Sequence, residues 1–86
     1  MPEVSRFYGI VIQIFYKDHA PPHFHASYSG HDAIINIETL SLIKGNLPAR
    51  ALGLVVEWAS LHQQELLLAF QKAEQSQLPS KIEPLK

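Results

Sequence analysis

The sequence predicts an α+β domain: a small, mostly antiparallel sheet of three or four N-terminal strands packed against one long C-terminal amphipathic helix. Three observations carry this. Residues 7–37 run in aromatic and β-branched stretches or alternate apolar with polar, the pattern of strands. Residues 49–76 hold no proline and one glycine, and apolar side chains recur there at helical spacing. Between the two lies Lys44-Gly45-Asn46-Leu47-Pro48, a turn that leads into a helix start. The 86 residues have room for a single domain, 1–86, with one core, and 47% hydrophobic content is enough to fill it.

The first strand is expected over 7–16, FYGIVIQIFY, with Ile10, Ile12 and Ile14 on one face and Phe7, Val11 and Phe15 on the other. Lys17 to Pro22 form a loop, because two consecutive prolines cannot donate to a sheet ladder. Residues 23–28 and 31–37 read as a hairpin around Ser29-Gly30. In the register that pairs Tyr28 with His31, Phe24 faces Ile35 and Ala26 faces Ala33 on an apolar side. His23, His25, Ser27, Asp32 and Asn36 then share the other side, and a slip of one residue would mix the two. A further short strand is expected over 39–43.

The helix is expected over 48–76, with Pro48 in its first turn. Ala51, Leu54, Val55, Trp58, Ala59, Leu61, Leu66, Ala69, Phe70 and Ala73 line one side; Arg50, Gly53, Glu57, Ser60, Gln64, Gln71 and Gln75 line the other. Unbroken, it would run roughly 40 Å at 1.5 Å per residue. That is long for so small a domain, so the helix overhangs, bends near Gln63–Gln64, or packs on a second copy. Residues 77–86, with Pro79 and Pro84, read as an extended tail.

Composition excludes several classes of function. Cysteine is absent, which removes disulfides, iron–sulfur clusters and thiolate zinc sites. The net charge of −1, with the basic residues scattered, does not supply the basic stripe of a nucleic-acid binder. No apolar run approaches the about 20 residues of a membrane span, and no signal peptide is recognisable, so a cytoplasmic location is expected.

Chemistry concentrates in the histidines, three of which fall within seven residues. His23 and His25 stand two apart on a strand and point to one side, a geometry that offers two nitrogens to one metal ion. His19 or Asp18 in the preceding loop supplies a third ligand. Three protein ligands plus water is the pattern of a catalytic zinc site, and nickel, copper or iron also suit imidazole. Without a metal, His23 and His25 would act as general acid and base, with Asp18 orienting one ring. A structural or partner-binding cluster is the plainer alternative. Asn36 and, on the helix, His62 with Glu65 are candidate neighbours of the site. The plainer expectation for His62 is a partly buried ring whose nitrogens are satisfied by backbone or by Glu65.

The segments RFYGIVIQIFYKDHAPPHFHASY, LPARALGLVVEWASLHQQEL and KIEPL together resemble a family of small bacterial proteins known as domain of unknown function 4160. Asp18, His19, His23, His25, Arg50, Trp58, His62 and Glu65 fall on its motif positions. The resemblance carries no activity; it implies pairing with a second small protein in a two-gene, toxin–antitoxin-like cassette. Two functions are therefore expected: a protein-interaction module that docks a partner or forms a homodimer, and, as the alternative, a metal-dependent or histidine acid/base hydrolase or ribonuclease-like toxin.

Overall fold

The structure, a computed structural model, describes residues 2–86. Five strands form one antiparallel sheet in sequential order: β1 (Glu3–Phe7), β2 (Ile10–Gln13), β3 (His23–Tyr28), β4 (His31–Asn36) and β5 (Leu42–Gly45). Two helices follow, α1 (Ala49–Leu61) and α2 (Gln63–Glu74). The α+β class holds; the sheet has five strands instead of three or four, and the single helix is two.

The added strand, β1, lies almost wholly before the expected 7–16 strand, which shortens to Ile10–Gln13 because the chain turns after Phe7. Tyr8 and Gly9 adopt φ of +51° and +81°, the left-handed pair of a two-residue hairpin turn. Phe7 therefore pairs with Ile10 and shares its face, against the expectation that it opposes the isoleucines. The turn's one sequence signal, Gly9, sits inside an aromatic and aliphatic run that reads as continuous strand. Ile10, Ile12 and Ile14 are all fully buried.

The central hairpin pairs Tyr28 with His31, Ala26 with Ala33 and Phe24 with Ile35. The last four of these are buried under the helices. The strand expected over 39–43 begins later. Asn36 Oδ1 accepts from the backbone N–H of Glu38 (2.7 Å) and Thr39 (2.9 Å), and Leu40 N–H bonds the Asn36 carbonyl. This Asx-type turn consumes residues 37–41 and shifts pairing to Leu42–Gly45. Asn36 is thus a turn former. Gly45 closes against β4 at φ +76°, where an added Cβ would lie 2.2 Å from the Asp32 carbonyl oxygen.

The long helix breaks at His62, whose φ of −131° lies outside the helical region. The domain measures 33 × 25 × 22 Å, so a straight rod of roughly 40 Å would leave its last turns without a surface to cover. The break instead lets both helices bury their apolar faces. Gln63 Nε2 secures it by donating to the carbonyls of Ile37 (2.9 Å) and Glu38 (3.2 Å). α1 sets Trp58 into the sheet, 5.2 Å from Phe7 and 6.0 Å from Phe24 between ring centroids.

The tail is extended and docked. Ile82 N–H donates to the Val4 carbonyl on the outer side of β1, Ile82 and Pro79 are buried, and the Glu83 carbonyl accepts from Trp58 Nε1–H at 2.7 Å. One sheet edge is thereby covered.

Two substitutions test this packing. Trp58→Phe keeps an aromatic ring beside Phe7 and Phe24 and removes the bond to the tail. It is expected to cost about 1 kcal/mol in chemical denaturation and to speed proteolytic clipping after Gln75. Gly45→Ala meets both a wrong-handed backbone and the Asp32 carbonyl, and should cost about 2 kcal/mol or more in thermal unfolding.

Candidate metal centre

The site is assembled where β3 begins. Strand periodicity sends His23 and His25 to the same side. The loop before them is tied at three points: Ile14 N–H to the Pro2 carbonyl, Lys17 N–H to the Ala73 carbonyl at the end of α2, and Ile37 N–H to the Pro22 carbonyl. These bonds hold Asp18 beside the strand. Its Oδ2 lies 2.8 Å from His23 Nε2 and 3.2 Å from His25 Nε2. One ligand atom from each of Asp18, His23 and His25 falls within 4.8 Å of the others.

The histidine side of the hairpin is covered more than its polar composition predicts. His23 is 8% exposed because Phe70 of α2 packs over it, with ring centroids 5.5 Å apart. His25 stacks on Phe15 at 4.0 Å and 13°. Phe15 and Phe70 are therefore parts of the site that sequence reasoning missed. Periodicity alone places the first on the far face of a strand and the second in the core.

Hydrogen-bond chemistry constrains the cluster further. A carbonyl only accepts, so His23 Nδ1–H donates to the Pro21 carbonyl at 2.7 Å. The other nitrogen of a neutral His23 then presents a lone pair to a carboxylate oxygen 2.8 Å away. Two acceptors at that separation require a positive centre between them: either a proton on Nε2 or a metal ion. A backbone carbonyl on the far nitrogen is also the usual outer support of a metal-bound histidine. A first-row ion about 2.1 Å from each donor would set the donors about 3.4 Å apart, so small side-chain adjustments suffice. Two imidazoles and one carboxylate fit zinc, nickel or ferrous iron, with positions left for water.

Burial raises the Asp18 carboxyl pKa. Hydrogen bonds from His25, the His19 backbone N–H and His23, together with the charge of His23, outweigh it and hold the group below the usual carboxylate range.

The remaining candidates are placed elsewhere. His19 gives only its backbone N–H to Asp18 Oδ1 (3.0 Å); its side chain is exposed and outside the triad. The expected set His19, His23 and His25 is therefore not brought together, and Asp18 stands in the third place. His62 Nδ1 bonds Glu65 Oε1 at 2.6 Å, with its ring 5.5 Å from Trp58. That pair serves the helix junction.

Residues 9–71 match the model of a family described as a domain of unknown function, DUF4160. The chain belongs to this family. The DUF4160 match spans β2 to most of α2 and includes all three residues of the triad. No curated protein and no solved structure gave a match.

The lowered Asp18 value has a definite sign. A folded-state pKa below the unfolded one stabilises the fold above about pH 4, and that contribution is lost as pH falls through the lowered value. Metal-free Asp18→Asn is accordingly expected to be less stable than the parent near about pH 7 and to converge with it in acid. Urea unfolding at several pH values reads this.

Proposed function

We propose that this DUF4160 domain binds a divalent transition-metal ion, zinc or nickel first among candidates, through Asp18, His23 and His25. The observation that carries the reading is the convergence of one ligand atom from each of Asp18, His23 and His25 within 4.8 Å of one another, with His23 Nδ1–H held by the Pro21 carbonyl. Bound there, such an ion supplies a polarised water, and hydrolysis is the chemistry it favours. His23 is the buried anchor, oriented by the Pro21 carbonyl. Asp18 and His25, about one-quarter exposed at 23% and 22% of their side chains, form the side that solvent and substrate reach. Ribonuclease action is the weaker form of this reading, since a net charge of −1 offers little for phosphate-backbone binding.

A second reading rests on a separate observation. Strand β5 is exposed along its length and presents Leu42 and Ile43 at 42% and 47% exposure on a sheet edge that the tail does not cover. Such an edge suits strand addition by a protein partner or a second copy. The partner in this reading is the second protein of a two-gene, toxin–antitoxin-like cassette.

Metal content of untagged protein by mass spectrometry tests the first reading. About one ion per chain is expected in the parent and in His19→Ala. Asp18→Ala and the double variant His23→Ala, His25→Ala should hold almost none, and apparent affinity should fall as acid protonates the ligands. A metal-free parent that also fails to take up zinc or nickel on titration would overturn it.

A further inference from the structure

The two histidines of the cluster are supported in different ways. His23 is held at both ring nitrogens, Nδ1 by the Pro21 carbonyl and Nε2 by Asp18. His25 is held at one. Its Nε2 lies 3.2 Å from Asp18 Oδ2, and its Nδ1 forms no hydrogen bond among the described residues. A metal-bound imidazole ordinarily has its second nitrogen fixed by an acceptor, and that acceptor sets the plane of the ring. For His25 the protein supplies a ring face instead. Phe15 lies against the imidazole with centroids 4.0 Å apart and planes 13° from parallel.

Core packing does not account for this stack. Phe15 is half-buried and stands outside the cluster of core side chains, and His25 is its one aromatic neighbour among the described residues. Its backbone is nonetheless fixed on both sides. Ile14 is fully buried and gives its N–H to the Pro2 carbonyl, and Lys17 N–H is tied to the Ala73 carbonyl. The last torsion of a histidine side chain is broad, so a single hydrogen bond leaves the ring plane under-determined. A rigid aromatic face in offset or parallel contact removes that freedom.

We infer that Phe15 is a positioning residue of this site: its ring fixes the plane of the His25 imidazole, in place of the second hydrogen bond that His23 has. The effect on affinity rests on the proposed metal binding; the stack itself belongs to the metal-free chain.

Two measurements on the full chain test this, with Phe15→Leu removing the ring and Phe15→Tyr keeping it. In nuclear magnetic resonance spectra of metal-free protein, the His25 ring protons are expected upfield of those of exposed His19. Phe15→Leu should bring them toward the His19 positions, and Phe15→Tyr should not. In competition with a chromophoric chelator, Phe15→Leu should bind zinc about tenfold more weakly, the low end of what losing an outer support costs a metal site. Phe15→Tyr should restore the parent affinity, and melting temperatures should stay close to the parent's. His25 signals that do not respond to Phe15→Leu overturn the inference whether or not zinc binds. Zinc binding by Phe15→Leu as tight as the parent's, or a loss that Phe15→Tyr does not restore, overturns it too. A parent that takes up no zinc while its His25 signals move as expected removes the metal reading and upholds the positioning role.

Discussion

The indole of Trp58 lies between Phe7 of β1 and Phe24 of β3, and its Nε1–H reaches past them to the Glu83 carbonyl of the tail. It is fully buried. An aromatic of this size contributes most of its stabilisation through burial, and its one polar atom must find an acceptor. The tail supplies that acceptor, which is why ten residues without regular structure remain attached to the domain. The first hairpin must turn at Tyr8–Gly9 for Phe7 to reach the same ring. Sheet, first helix and tail are thereby joined at one side chain.

The helix break has the largest consequence for the candidate site. A continuous helix could cover only one face of the sheet along one line. After His62 the chain takes a new direction and brings Phe70 over His23, while the Ala73 carbonyl receives Lys17 N–H from the loop that carries Asp18. The site is thus built from a strand start, a proline-stiffened loop and the second helix. Burial of His23 follows from this arrangement, and burial sharpens the electrostatic demand. An imidazole withdrawn from water and facing a carboxylate needs a shared proton or a cation.

Much of the local structure was legible in the sequence. Alternation over 23–36 has a single register that separates apolar from polar side chains, and the apolar stripe of residues 51–73 has one helical phase. The density of histidine between residues 19 and 25 marked the segment in which Asp18, His23 and His25 come together. Less legible were the turn at Tyr8–Gly9, hidden in an apolar run, and the Asx turn at Asn36, which displaced β5. The partners of His23 and His25 were only half legible. Asp18 and His19 stand side by side, and the choice between them depends on which way a loop is pulled by contacts dozens of residues away.

The sequence by itself determined the α+β class, the central hairpin and its register, the apolar face of the helical region and the strand pair His23–His25. Those follow from periodicity and from chemistry between near neighbours in the chain. Tertiary structure alone decided that the helix divides, that Phe70 covers His23, that Asp18 turns in where His19 turns out, and that the tail closes over β1. Each of these depends on fitting elements of given length onto a sheet of limited size while buried backbone groups and the Trp58 indole find partners, a condition that no short stretch of sequence contains.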